Sequence, residues 1–191
     1  MTMTPVERAF LQGINFSLKK GEKLAVLGSV GSGKSSLLYG ILNEISLLSG
    51  AVLMNGKCAY ASGDPWVVSG TVKDNILMGL DFDSEFYSKV VFSCALKKDF
   101  ELFKYGDETH VGDAGITLSG GQKARLSLAR AVYTNRDILL LDDPLSAVDA
   151  EVNTHIVEHC IRGLLREKTV ILATHQLQVL PNVDIIIILS Q

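Results

Sequence analysis

One stretch restricts the fold more than any other: Gly28-Ser29-Val30-Gly31-Ser32-Gly33-Lys34-Ser35, set directly after the apolar run Leu24–Leu27. A buried strand leaves the core there, turns on glycines and enters a helix. Over Ser35–Ile45 the residues Leu38, Ile41, Leu42 and Ile45 fall on one helical face. Glycine lets the backbone wrap closely, so N–H groups converge where no side chain intrudes. The helix N-terminus adds a partial positive charge. This strand–loop–helix context is the one the phosphate-loop pattern requires. Gly28, Ser29, Gly31, Ser32, Gly33 and Ser36 are the expected cradle for the phosphates of a nucleotide. Lys34 is expected to reach the β- and γ-phosphates, and the Ser35 hydroxyl to bind Mg2+.

A second strand-like run, Ile138–Leu141, ends in Asp142 and Asp143. Its acids emerge at the carboxyl end of a buried strand, where ligands sit in open α/β sheets. Asp142 is expected to hold Mg2+, directly or through water. Val52–Met54, Val170–Ala173 and Ile185–Leu189 also read as buried strands. Helix-like segments flank the later runs, which predicts a parallel sheet with crossover connections. Helical spacing recurs over Gln122–Tyr133 (Leu126, Ala129, Val132) and over Ala150–Leu165 (Val152, Ile156, Cys160, Leu164). From Asp83 to about Gly112 the chain turns aromatic, with Phe86, Tyr87, Phe92, Phe100 and Phe103. Two short helices are predicted there, the first capped by Asp83 or Ser84. They form a helical lobe inserted between two strands.

The net charge of −3 leaves no basic excess for general nucleic-acid binding. Cys58, Cys94 and Cys160 lack metal-ligand spacing and read as reduced thiols. Ile185–Leu189 is far shorter than the ~20 residues that span a bilayer. The start, Met1-Thr2-Met3-Thr4-Pro5, is not a signal peptide. The chain is therefore expected neither to insert nor to be exported, though it can dock on a membrane protein. His155-Ile156-Val157-Glu158-His159 spells a zinc-protease pattern but reads as a solvated helix face.

Leu118-Ser119-Gly120-Gly121-Gln122 precedes the helix at 122–133. It presents a hydroxyl, bare backbone N–H groups and a helix N-terminus, which is a second anion site. A single nucleotide need not use both sites.

These motifs together resemble the ATP-binding cassette superfamily, whose hallmark is LSGGQ, and the resemblance covers nearly the whole chain. Finer matches are similar to family C, the multidrug-resistance-associated transporters. They are the run from Asp64-Pro65-Trp66 to Asn75-Ile76, Gly115-Ile116-Thr117, and Asp142-Asp143-Pro144-Leu145-Ser146-Ala147-Val148-Asp149. The last looks most like that family's first nucleotide-binding domain. The resemblance implies an α/β, P-loop NTPase (RecA-like) parallel sheet core with an N-terminal antiparallel β part. It implies a helical subdomain inserted at about 83–125, within one incomplete domain spanning 1–191 and truncated at both ends. It further implies an ATPase that pairs head-to-tail with a second nucleotide-binding domain. Transmembrane domains of the same or a partner polypeptide are the other expected partners, at the cytoplasmic face of a membrane, with export as the work done. Ser119, Gly120, Gly121 and Gln122 would then serve the partner's ATP. His175 matches the histidine that contacts the γ-phosphate. Asp149 matches the loop along the dimer seam and also suits a helix N-cap. Trp66 is either half-buried or turned to the membrane domain.

Three positions depart from the family pattern. Asp143 stands where the general base or water-positioning residue is usually glutamate. Asp and Glu differ by only about 0.4 pKa units, so reach decides. The shorter side chain withdraws the carboxylate by roughly 1–1.5 Å, and a shift of that size costs on the order of 10²-fold in rate. Slow or absent hydrolysis is expected at this site. Gly63 replaces a glutamine that touches Mg2+ and couples to the membrane domain. Met1 to Ala9 lack the aromatic that stacks on adenine. A non-hydrolysing nucleotide-binding switch and a non-functional transporter fragment are the alternatives.

Overall fold

The computed structural model describes residues 10–112 and 115–190. In chain order its elements are β1 (Lys23–Leu27), α1 (Lys34–Ile41), β2 (Cys58–Ala61), β3 (Gly70–Thr71), α2 (Val72–Leu77), α3 (Ser84–Ser93) and α4 (Lys97–Leu102). There follow β4 (His110–Val111), α5 (Gly120–Tyr133), β5 (Ile138–Asp142), α6 (Ala150–His155), β6 (Thr169–Thr174) and β7 (Ile185–Ile188). The main sheet has five strands in the order β2-β5-β6-β1-β7, all parallel. The expected α/β class holds.

The strands are apolar on both faces, as a parallel sheet covered by helices demands. Successive side chains alternate between two cores. Leu139, Leu141, Val170 and Leu172 face α3, α5 and the segment after α6. Leu140, Ile171, Ala173, Leu24 and Val26 face α1. Lys23 opens the buried β1 because its ammonium donates to the Gly21, Arg166 and Lys168 carbonyls at 2.6, 2.8 and 2.9 Å. Burial nevertheless pulls its pKa down, against the opposing pull of Asp184 and Glu167.

Four of the five expected strands are present; the fifth is corrected. Val52–Met54 is irregular, and Leu53 is 96% exposed. The position beside β5 belongs instead to Cys58–Ala61, paired Cys58 to Ile138 through Ala61 to Leu141. That run of small residues gives little apolar signal. The helix predicted to Ile45 ends at Ile41, because Asn43 turns left-handed at φ 61°. The antiparallel component is a ribbon in which Gly70 pairs with Val111 and Thr71 with His110, framing α2 to α4. Residues 10–22 contain no strand. Asp83 caps α3, accepting from the Glu85 and Phe86 N–H groups at 3.0 Å.

The helix expected over 150–165 winds differently along its length. After α6 it continues as a π-helix over Ile156–Leu164, where the Leu165 N–H reaches the Cys160 carbonyl. Ile156 and Ile161 are buried five residues apart, as are Cys160 and Leu165. That spacing matches the wider winding rather than 3.6 residues per turn. All three cysteines are free, and burial raises the Cys94 thiol well above its usual pKa, helped by Cys160. Among the described residues no helix is long and apolar enough to cross a membrane.

Leu140 is fully buried on β5, on the face that α1 covers. Leu140→Ala should lower the unfolding free energy by about 2–5 kcal/mol. Urea titration reads this as a lower midpoint at unchanged slope.

Candidate functional site

The loop after β1 closes on itself. Gly31 and Gly33 adopt φ 81° and 98°, a region that side chains disfavour. A Cβ at Gly28 would lie 2.2 Å from Ser32 Oγ and 2.8 Å from the Leu189 carbonyl. Lys34 Nζ turns back over this loop and donates to the Gly28 and Ser29 carbonyls at 2.8 and 2.9 Å. No side chain caps α1, and its first turn carries no acid. Ser32 Oγ is buried without a hydrogen-bond partner. An uncapped helix end, a convergent ammonium and an orphaned hydroxyl together suit a polyanion. Ser35 and Ser36 follow, partly exposed, in the same turn.

Asp142 ends β5 and is buried. The Tyr60 hydroxyl reaches its Oδ2 at 3.2 Å and lies 3.3 Å from the Tyr39 hydroxyl. Burial first, with the Asp142 carboxylate adding to it, pushes the Tyr60 phenol far above its usual pKa, so it remains a donor. The Ser35 hydroxyl and the Asp142 carboxylate are hard oxygen donors, the kind Mg2+ takes.

Asp143 turns left-handed at φ 45°, a conformation aspartate tolerates better than most residues. Its N–H donates to the Ala173 carbonyl at 2.8 Å. Its Oδ1 accepts from Thr174 Oγ1 at 3.3 Å, and its Oδ2 lies 3.0 Å from His175 Nδ1. The ends of β5 and β6 thus bring Asp143 and His175 together. A Cβ on Gly63 would lie 3.2 Å from the Asp142 carbonyl and 3.6 Å from its Oδ2. Beside Gly63 is a cavity of about 30 Å³, lined in part by Ser62, Ser127, Asp143 and Ser146. It has room for one water.

The 119–122 stretch opens α5. Ser119 Oγ accepts from the Gln122 N–H at 3.2 Å, and Gln122 Oε1 accepts from the Ser119 N–H at 2.9 Å, a capping box. Gln122 Nε2 also donates to Asp99 Oδ1 at 3.0 Å, while Arg125 Nη2 meets Asp99 Oδ2 at 2.7 Å. Gly121 packs so closely that a Cβ would lie 2.8 Å from the Ala147 carbonyl. Among the described residues no hydrogen bond joins 119–122 to the loop at 28–35. The loop at 28–35 and the helix start at 119–122 are separate features of one chain.

Other expectations resolve as follows. Asp149 caps α6 through the Val152 N–H at 2.9 Å. His159 is exposed and His155 half-buried, in keeping with a solvated face, while both rings lie tilted or edge-on against Phe92 and His155 Nε2 lies 2.7 Å from the Phe92 carbonyl oxygen. Among the described residues no cluster of histidine, cysteine and acids is suited to a metal. Trp66 is 47% exposed, with the Arg130 guanidinium 3.8 Å over its ring. The adenine-stacking question falls on Met1 to Ala9, outside the described residues. Sequence reasoning missed Tyr39, Tyr60, Asp99 and Arg130. An Ala-Tyr-Ala run recognised as a strand flags Tyr60; nothing local flags Asp99.

Asp99 is buried, and the Arg125 side chain is nearly so. Asp99→Ala leaves the guanidinium buried and unpaired, so it should destabilise the chain by about 3–5 kcal/mol in urea unfolding. Adding Arg125→Leu should recover much of that loss.

A sequence profile described as "ABC transporter" matches residues 11–146. The protein named ABC transporter C family member 9 of Arabidopsis thaliana is 53% identical over 183 residues, covering 96% of this chain and 12% of that protein. ATP-binding cassette sub-family C member 4 of Homo sapiens is 56% identical over 184 residues, 96% of this chain and 14% of that protein. Probable multidrug resistance-associated protein lethal(2)03659 of Drosophila melanogaster is 54% identical over 180 residues, 94% and 13% respectively. The chain thus spans only 12–14% of the length of these relatives. With the glycine loop, the 118–122 motif and the paired acids all inside the matched span, the chain belongs to the ABC transporter family, alongside relatives named for its C branch.

Proposed function

We propose that the chain binds Mg-ATP at the 28–36 loop and closes head-to-tail on a second nucleotide-binding domain, so as to power export through transmembrane domains at the cytoplasmic face of a membrane. The helices around residues 83–125 are its inserted lobe. One observation carries the reading: Lys34 turns back over a glycine-lined loop at an uncapped helix end. Backbone N–H groups of the loop would bind the phosphates. Lys34 would exchange its two carbonyl contacts for phosphate oxygens. Ser35 and Asp142 would hold Mg2+, which supplies charge neutralisation of the phosphates when bound. Ser119, Gly120, Gly121 and Gln122 would offer their helix end to the nucleotide held by the partner. The family-C relatives support the transport setting, and no nucleic-acid partner is proposed.

Asp143 and His175 are the residues for water positioning at this chain's own site. Both oxygens of Asp143 are engaged, by Thr174 and by His175, and Asp143 is a methylene shorter than glutamate. This favours slow turnover, and a non-hydrolysing switch module is the second reading it supports. Phosphate release that Lys34→Ala abolishes identifies an ATPase; release equal to that of Lys34→Ala identifies a switch.

Lys34→Ala should weaken Mg-ATP binding about 10- to 100-fold in calorimetry, since a charged hydrogen bond contributes about 1.5–3 kcal/mol. Undiminished affinity refutes the proposed site. In an assembled pair of domains, Asp143→Glu should speed single-turnover hydrolysis by one to two orders of magnitude, on the order of what such a displacement costs. An unchanged rate rejects the explanation from reach.

A further inference from the structure

We propose that Tyr60, backed by Tyr39, is a positioning residue that orients the Asp142 carboxylate for a divalent cation. The inference rests on the reading of Asp142 as a Mg2+ ligand. A carboxylate accepts hydrogen bonds, and a phenol has one proton to give. Tyr60 lies 3.2 Å from Asp142 Oδ2 and 3.3 Å from the Tyr39 oxygen; when its one proton goes to the carboxylate, which can only accept, the Tyr39 hydroxyl is placed to donate to Tyr60 in turn. Among the described residues Asp142 Oδ1 carries no hydrogen bond, so the relay holds one oxygen and leaves the other for a ligand.

The surroundings give this relay its weight. At Gly63, the other residue close to Oδ2, there is no side chain to steady the carboxylate. Tyr39 lies one turn along α1 from Ser35, at i+4, so the helix that bears the expected metal-binding hydroxyl also bears the outer phenol. The two rings pack at 5.8 Å between centroids. Each phenol is a rigid lever with only two rotatable bonds, so it positions its oxygen at small entropic cost. The Tyr60–Asp142 distance exceeds the usual ~2.5–3.0 Å, so that contact tightens if Asp142 shifts toward Tyr60 by a few tenths of an ångström. Groups that orient a metal ligand in this manner contribute about 10- to 100-fold to metal affinity.

The test uses the intact chain and Mn2+ as a paramagnetic probe, titrated by EPR in the presence of a non-hydrolysable ATP analogue. Tyr60→Phe removes one oxygen and keeps the ring in place. It should weaken Mn2+ binding about 10-fold or more, while affinity for the analogue in EDTA stays at the wild-type value. Tyr39→Phe, which leaves Tyr60 without its donor, should weaken Mn2+ binding by a smaller factor. It provides the same test if Tyr60→Phe fails to fold. Wild-type Mn2+ affinity in both variants overturns the relay, as does an equal loss of analogue binding in EDTA. A wild-type chain that takes up the analogue with no divalent dependence overturns the Asp142 reading and the relay together.

Discussion

Everything at the site depends on the parallel ladder of β5, β6 and β1. In that ladder Asp142 stands opposite Ala173, and Thr174 stands opposite Leu27. The strands therefore end within one residue of each other, and three different chain segments emerge at one edge. A glycine loop, a carboxylate and a histidine that are far apart in sequence become neighbours because their apolar strands share a register. A slip of one residue exchanges the faces of a strand. Here it also removes the acid from its place beside the loop, so hydrophobic alternation and site geometry are specified by the same contacts.

The parts of the fold that were legible in the sequence are those with strong periodicity. Leu24–Leu27, Ile138–Leu141, Val170–Ala173 and Ile185–Leu189 are short apolar runs bounded by turn residues, the pattern of buried strands. The glycine spacing of the loop and the acids after β5 were equally plain, since each chemistry demands particular residue types at fixed positions. What escaped was relational. Asp99 looks like any surface acid in Lys97-Lys98-Asp99, until folding buries it between Gln122 and Arg125. Tyr60 sits among alanines, and its partner Tyr39 is on another element. Val52–Met54 was misjudged for the converse reason: apolar character implies a strand only when a neighbour offers backbone partners.

The Asp99 knot also ties α4 to the start of α5 mechanically. Gln122 contributes both to the cap of α5 and to the contact with α4, so the end of α5 cannot reorient without disturbing the lobe. Arg130, on the same helix, binds the Asn75 and Trp66 carbonyls and covers the Trp66 ring. Burial draws its pKa down to about 10, which leaves it charged at neutral pH. One helix thus grips the inserted segment at both ends.

The left-handed residue after β5 separates two properties of an acid that usually go together. Backbone geometry aims the side chain, whereas its number of carbons decides how far it extends. Lengthening it advances the carboxylate along a bearing already chosen, and in doing so withdraws it from the threonine and imidazole that hold it now. Anchorage and reach therefore compete for a single methylene, and this chain carries the shorter tether.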